Sequence, residues 1–226
     1  MPLNTIEAAL RAIRAGQLVV VADDEDRENE GDLIIAAEAV TTEKLAFMLR
    51  HTSGVVCVGI THCRANELAL PLMVPENSEP HRTQFTVSVD LASGITTGIS
   101  AADRSATIRA LGTRRIGADA FSKPGHVFPL RARPNGVLDR RGHTEAAVDL
   151  ARLAGFEPAG ALCELMADDG SMLRGAQLLE FSARHRLPYL HIGDLVAHRR
   201  ATERRPAAGA AQDALERHHL LPEVHA

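Results

Sequence analysis

Hydrophobic residues follow two spacings along this chain, and each spacing predicts a different kind of element. Continuous apolar runs rich in Val, Ile and Leu predict buried strands at residues 16–21, 33–37, 55–60, 161–166 and 187–192. Strict alternation over 85–91 predicts a strand with one buried face, and a further strand is expected at 126–130 after a turn at 122–125. Spacings of three and four residues predict helices at 4–13, 42–50, 63–70, 101–111, 144–154 and 174–185, and a last short helix from 195.

The order of these elements sets the expected fold class. Strands and helices interleave without a regular β-α-β repeat. The sequence therefore predicts an α+β fold, a single three-layer α/β/α domain around a mixed β-sheet, over residues 1–199. From Arg199 onward the periodicity is lost in Arg-rich and Ala/Gly-rich sequence, which predicts a disordered C-terminal tail at 200–226.

Composition narrows the function classes. The 226 residues are 45% hydrophobic, enough for a sizeable core, and the net charge of −4 does not favour a nucleic-acid or an anionic-membrane partner. No apolar run approaches the roughly 18 residues of a membrane span. The three cysteines form no C-x-x-C pair, which indicates reduced thiols and a cytoplasmic protein.

The strongest candidate chemistry lies at residues 23–32, between two predicted strands. Seven carboxylates occupy these ten positions, and Arg27 is the one cation among them. Like charges this close repel one another unless they are solvated or bind cations. An acidic turn is often only a solvated surface, but a loop pinned between two buried strands favours a divalent-cation site that also binds a substrate.

A second candidate opens a predicted helix. The run Arg140-Arg141-Gly142-His143-Thr144 combines two cations, a glycine that lets a ligand approach the backbone, and a hydroxyl. Free N–H groups at a helix N-terminus bind anions, so the run is a plausible phosphate site. The alternative is an ordinary helix start with solvated arginines.

Two further residues are candidates on weaker grounds. Glu164 lies inside an apolar strand, where a buried carboxylate must be paired, protonated or metal-bound; it could instead face solvent from an edge strand. His126 begins a predicted strand, where a structural, hydrogen-bonded histidine is at least as common as a functional one.

Six segments taken together are far more specific than any one of them. They are residues 23–32, 51–54, 94–104, 124–130, 142–146 and 163–166. In this order, along residues 6–199, they closely resemble the 3,4-dihydroxy-2-butanone 4-phosphate synthase family of riboflavin biosynthesis.

The resemblance implies an enzyme that converts D-ribulose 5-phosphate to L-3,4-dihydroxy-2-butanone 4-phosphate and formate. The implied course is a metal-stabilised enediolate, then dehydration and skeletal rearrangement. It further implies dependence on Mg²⁺ or Mn²⁺, and a homodimer whose active sites lie close to the subunit interface. Two other functions stay open: a metal-dependent pentose-phosphate isomerase or aldolase, and a non-catalytic phosphosugar-binding module.

The resemblance also implies roles for individual residues. The implied metal ligands are Glu28 and His143. The implied catalytic residues are Glu164, His126, Asp32 and Glu28, and Cys57 matches a wall of the site. The implied substrate-binding residues are Arg27, Glu28, Asp32, Arg140, Arg141, Gly142, His143, Thr144 and Glu164, of which Arg140, Gly142 and Thr144 form the phosphate site.

Overall fold

The computed structural model describes residues 4–203, and its strands form one mixed sheet of seven. The strands are β1 (Val19–Ala22), β2 (Gly31–Ala36), β3 (Cys57–Ile60), β4 (Val89–Leu91), β5 (Phe121–Arg131), β6 (Ala159–Glu164) and β7 (Tyr189–His191). Their order across the sheet is β4-β5-β3-β6-β2-β1-β7. The β1–β7 and β3–β5 pairs are parallel, and the other four neighbouring pairs are antiparallel.

Helices cover both faces of this sheet. They are α1 (Ile6–Arg14), α2 (Thr42–His51), α3 (His62–Glu67), α4 (Ala101–Gly112), α5 (His143–Ala154), α6 (Ala176–His185) and α7 (Ile192–Thr202). One buried cluster joins α1, α5 and α7 to the sheet, and a second joins α2, α3, α4 and α6 to the opposite face. The predicted α+β fold with three layers and a mixed sheet is confirmed. No helix within residues 4–203 is long and apolar enough to cross a membrane.

The central strands are almost entirely apolar because both of their faces are buried, and Asp32 in β2 and Glu164 in β6 are the exceptions. In β2, Leu33 and Ile35 pack into one cluster, whereas Ile34 and Ala36 pack into the other. Successive side chains of a strand point to opposite faces, so a strand covered on both sides needs an unbroken apolar run. For this reason, continuous apolar runs in the sequence predict the positions of these strands.

One predicted turn is wrong. Residues 122–125 lie within β5, which begins at Phe121 rather than at His126. Strand β4 pairs Leu91 with Phe121 but Val89 with Val127, so the register shifts between Val89 and Asp90. The Pro-Gly sequence therefore forms an irregularity inside the strand, a place where both residues are tolerated.

The C-terminal helix runs past the predicted domain boundary at residue 199. Helix α7 continues to Thr202, and Arg199 holds it by donating to Asp149 Oδ2 at 2.8 Å and to the backbone oxygen of Asn135 at 2.6 Å. The remainder of the predicted tail, from 204 to 226, lies outside the described residues.

Candidate active site

The acidic loop between β1 and β2 folds around the carboxylate of Asp23. This side chain is buried, and its oxygens accept hydrogen bonds from Arg27 Nη1 at 2.7 Å and from the backbone N–H groups of Glu28 at 3.1 Å and Glu30 at 2.9 Å. A single buried acceptor thus fixes both the guanidinium and the backbone of the loop. The loop is an ordered part of the sheet edge rather than a solvated turn.

This loop brings Glu28 to His143, the first residue of α5. Arg27 Nη1 donates to Glu28 Oε2 at 2.8 Å, and His143 Nδ1 lies 3.5 Å from the same oxygen. One donor atom each from Asp23, Glu28 and His143 falls within 4.8 Å of the others. The two residues predicted as metal ligands therefore lie side by side, and Asp23 joins them.

The donor set fits a divalent cation. Carboxylate oxygens suit hard ions such as Mg²⁺, and imidazole nitrogen is a common additional ligand. Among the described residues, His143 Nε2 and Asp32 Oδ1 are buried and have no hydrogen-bond partner. Asp32 Oδ1 lies 3.9 Å from His143 Nδ1, the nitrogen that faces Glu28, so this unpartnered oxygen fits a cation held there.

Asp32 and Glu164 are the second pair of carboxylates in the site. They are direct neighbours because β2 and β6 pair antiparallel with Asp32 opposite Glu164. Ser53, at the end of α2, donates its hydroxyl to Glu164 Oε2 at 2.5 Å. Asp32 is only 1% exposed, whereas Glu164 is half-buried. The predicted alternative, in which Glu164 lies on a solvated edge strand, is wrong because β6 is the centre of the sheet.

The charges at this end of the sheet shift one another's pKa values. Burial, aided by the charges of Glu164 and Glu28, raises the pKa of Asp32 from 3.8 to about 7. Burial opposes ionisation of Glu28, but the contacts with His143 and Arg27 prevail and lower its pKa to about 2. Burial also disfavours the charge on His143, yet Asp32 and Glu28 raise its pKa to about 9. Near neutral pH, Glu28 is ionised and Asp32 can take up or release a proton.

The predicted phosphate site lies at the start of α5. Gly142 is the N-cap residue, and within residues 4–203 no side chain caps the N–H groups of the first turn. A Cβ at Gly142 would collide with the guanidinium of Arg140, so only glycine lets that side chain cross the helix start. The uncapped N-terminus is a positive, donor-rich position suited to an anion.

The two arginines before α5 differ in their surroundings. Arg140 is largely buried; it donates to the buried Glu145 Oε2 at 2.7 Å and to Thr83 Oγ1 at 2.8 Å. Arg141 is about half exposed and contacts Asp24 at 3.1 Å on the outside of the acidic loop. Of the two, only Arg140 lines the cavity described next.

A cavity of about 240 Å³ joins these groups. Three of its lining residues, Glu79, Thr83 and Phe85, come from the segment between α3 and β4, which the sequence did not single out. Glu79 and Thr83 belong to no periodic pattern or motif, and the alternation that includes Phe85 predicts a strand but not a site residue. All three reach the site only through tertiary folding. The lining residues are Arg27, Glu28, Asp32, Cys57, Glu79, Thr83, Phe85, Leu130, Arg140, His143, Thr144, Leu162 and Glu164.

His126 does not line this cavity within its own chain. Its ring lies on β5, where Nδ1 is 2.6 Å from Asp90 Oδ2. The structure thus gathers Glu28, Asp32, His143, Thr144 and Glu164 in one place and leaves His126 elsewhere.

Comparison with known proteins gives one consistent answer. The family model described as 3,4-dihydroxy-2-butanone 4-phosphate synthase matches residues 7–198. The synthase of that name from Aeromonas salmonicida is 55% identical over 206 residues, which span 91% of this chain and 95% of that protein. Its namesake from Edwardsiella ictaluri is 53% identical over 202 residues, which span 89% and 92% of the two chains.

Comparison with solved structures points to the same family. A crystal structure of 3,4-dihydroxy-2-butanone 4-phosphate synthase in complex with two magnesium ions has a TM-score of 0.85 and 46% identity, covering 88% of this chain and 98% of that one. A cation-free form gives a TM-score of 0.84 at 45% identity, covering 89% and 99%. The mixed sheet and its carboxylate-rich cavity are thus those of an enzyme of riboflavin biosynthesis. The chain belongs to the 3,4-dihydroxy-2-butanone 4-phosphate synthase family.

Proposed function

We propose that this chain converts D-ribulose 5-phosphate to L-3,4-dihydroxy-2-butanone 4-phosphate and formate. The observation that carries the proposal is one cavity that combines three kinds of group. These are the Glu28–His143 donor pair, the carboxylates Asp32 and Glu164, and the start of α5 with Arg140 and Thr144. Asp23 does not line the cavity, but one of its oxygens lies within 4.8 Å of the donor atoms of Glu28 and His143.

A divalent cation, Mg²⁺ or Mn²⁺, would be held by Glu28 and His143, with Asp23 within reach. One donor atom of each residue lies within 4.8 Å of the others, and the unpartnered Oδ1 of Asp32 lies 3.9 Å from His143 Nδ1; both observations support this assignment. A bound divalent cation supplies Lewis-acid stabilisation of negative charge that develops on the sugar oxygens. Arg27 holds Glu28 in place and adds positive charge at the rim.

Asp32 and Glu164 would transfer the protons. The reaction begins by removing a proton next to a ketone, and later steps need protons delivered to other carbons and oxygens. A pKa of about 7 lets Asp32 act in both directions near neutral pH. Glu164 is oriented by the Ser53 hydroxyl on one oxygen, and it lines the same cavity. Two adjacent carboxylates in different protonation states suit a reaction with several proton movements.

The phosphate group would bind at the start of α5. The N–H groups after Gly142 and the hydroxyl of Thr144 supply donors, and Arg140 supplies charge at the cavity wall. Arg141 contributes only from the outer rim, through its contact with Asp24. Fixing this end of the sugar converts binding energy into orientation at the reacting carbons.

We further infer a homodimer with active sites near the subunit interface. Several large apolar side chains are exposed between 38% and 50%, and surfaces of this kind commonly mark protein contacts: Val55, Leu72, Met73, Val74 and Ile99. The proposed role of His126 depends on this dimer, because its ring lies outside the cavity of its own chain. The free thiols of Cys57, Cys63 and Cys163 support a reducing, cytoplasmic location.

A formate assay tests the proposed reaction. The chain is incubated with D-ribulose 5-phosphate, and formate is measured with a coupled dehydrogenase, before and after EDTA and after re-addition of Mg²⁺ or Mn²⁺. We expect formate that is lost with EDTA and restored by either cation. An isomerase or aldolase would consume the substrate without formate, and a binding module would leave it unchanged; either result contradicts the proposal.

A further inference from the structure

We propose that Asp90 is a positioning residue that fixes the tautomer and orientation of the His126 imidazole. The inference rests on the proposed function, in which His126 takes part in the reaction. It assigns a role to a carboxylate that lies outside the cavity and that the sequence did not single out.

Both oxygens of Asp90 bind the same residue. Asp90 Oδ2 lies 2.6 Å from His126 Nδ1, and Oδ1 accepts the backbone N–H of His126 at 3.0 Å. A carboxylate can only accept, so the proton at this contact belongs to Nδ1. Nε2 is then the free nitrogen, and it forms no hydrogen bond with the part of the chain that the structure describes.

The fold holds this pair in place from two sides. The register shift between Val89 and Asp90 brings the carboxylate back onto β5, and Gly125 donates its N–H to Ser88 Oγ at 3.1 Å beside it. A Cβ at Gly125 would collide with the backbone of Val89, so the close approach of the two strands requires glycine.

The second side is the loop before α4. Gly98 has φ +90, and a Cβ there would lie 2.8 Å from His126 Nδ1 and would collide with the Asp90 carboxylate. Asp103 pins this loop by accepting from the N–H groups of Thr96 and Gly98, each at 3.1 Å. The loop thus lies directly on the Asp90–His126 contact and restricts movement of the carboxylate.

The exposure of the pair favours a positioning role over a structural one. The side chain of His126 is 44% exposed and that of Asp90 is 11% exposed. A carboxylate bound to Nδ1 leaves Nε2 as the nitrogen that exchanges protons. Two glycines and a clamped loop therefore hold a buried carboxylate against one nitrogen of a ring that is nearly half exposed.

The first test compares Asp90→Asn with Asp119→Asn. Asp119 is an exposed acid just before β5, so its replacement makes the same change of charge without touching His126. We expect Asp90→Asn to lower kcat for formate release by about 10²–10⁴-fold, with KM changed by roughly twofold or less, because orientation of the imidazole affects the reaction more than binding. Asp119→Asn should match the parent chain.

A double-mutant cycle shows whether Asp90 acts through His126. Asp90→Asn is combined with His126→Ala, and the loss of kcat is compared with that in the parent. We expect the additional loss in the His126→Ala background to be about threefold or less. An equal loss in both backgrounds overturns the proposal, as does an unchanged kcat in a folded Asp90→Asn protein.

A spectroscopic measurement separates this proposal from the proposed function. Nitrogen NMR of histidine-labelled protein, with His126 assigned from the His126→Ala spectrum, reports which ring nitrogen carries the proton. We expect the Nδ1–H tautomer in the parent and a mixture of tautomers in Asp90→Asn. A tautomer that is the same in both overturns the proposal. Absence of formate from the parent contradicts the proposed function instead, and the tautomer comparison does not depend on turnover.

Discussion

Two carboxylate–histidine pairs in this molecule have opposite surroundings. In one, the side chain of His143 is 6% exposed and lies 3.5 Å from Glu28. In the other, the side chain of His126 is 44% exposed and lies 2.6 Å from Asp90. The looser contact is thus made by the buried imidazole, and the tighter contact is made by the exposed imidazole.

The two imidazole rings differ in their access to water and in their hydrogen-bond partners. Burial removes water from His143 and leaves its Nε2 without a partner among residues 4–203, while Asp32 and Glu28 raise the pKa of the ring. Carboxylates gathered beside an imidazole in a buried position are suited to a cation. At the surface, Asp90 satisfies Nδ1 of His126, and water can satisfy the rest of the ring. Charges that are costly when unpaired lie in the first region, so mutations there should have the largest effects.

The largest effect is expected from Glu28→Ala or His143→Ala. Either change removes one of the two proposed cation ligands, so formate release should fall by at least about 10³-fold while the chain stays folded. The measurements are formate release, isothermal titration with Mg²⁺, and circular dichroism. Glu25→Ala is the matched control, since Glu25 is an exposed acid of the same loop. Near-normal turnover in either variant would refute the ligand assignment.

Asp32→Asn should separate stability from activity in the buried region. The folded-state pKa of Asp32, about 7, lies above its ordinary value of 3.8, so the neutral form contributes stability below 3.8 that is lost as pH rises through 7. In EDTA, the amide should therefore raise Tm more at pH 8 than at pH 5, while formate release falls by about 10²–10⁴-fold.

Exposed Asp26 provides the control for that experiment. Asp26→Asn makes the same charge change in the acidic loop at an exposed position. It should leave both Tm and the formate rate close to those of the parent. If Asp32→Asn lowered Tm at pH 8, the carboxylate would be ionised and stabilising in the folded chain, contrary to the burial argument.

Arg140→Ala should mainly weaken substrate binding. Loss of the guanidinium removes charge beside the start of α5, so KM should rise by about 10–100-fold and inhibition by inorganic phosphate should weaken. The change also leaves the buried Glu145 without its cation, so Tm should fall. Arg140→Lys keeps the charge and tests geometry, and exposed Arg115→Ala is the control. Unchanged inhibition by phosphate in Arg140→Ala would show that the phosphate binds elsewhere.

Much of the framework that supports these experiments could be predicted from the sequence. Strands β1 and β2 are apolar runs because both faces are buried, and helix α5 ends where Gly155 takes φ 92. The acidic loop lies between those strands as predicted. Such features depend on residues that are close together in the chain, and their patterns are therefore visible without a structure.

The partners within the site could not be predicted in the same way. Asp32 meets Glu164 through the β2–β6 register, and Ser53 reaches Glu164 from the end of α2, across 111 residues of sequence. Residues 122–125 have the local sequence of a turn, and only the pairing with β4 makes them part of a strand. Contacts of this kind depend on tertiary packing, which a single sequence does not display.

The smallest effect is expected at the surface, from Glu203→Gln. Hydrogen bonds from Arg199 at 2.6 and 3.0 Å, with a further one from Arg152 at 2.6 Å, lower the pKa of Glu203 from 4.5 to about 2. Because the folded-state pKa is lowered, its stabilisation is present above pH 4.5 and is lost as pH falls through 2. Glu203→Gln should therefore lower Tm by about 2–4 °C at pH 7, by less as the pH approaches 2, and leave formate release unchanged. Glu180→Gln, in a pair with Arg184 whose side chains are both more than 60% exposed, should not change Tm at all. Equal losses in the two variants would mean that exposure does not decide the strength of an ion pair in this chain.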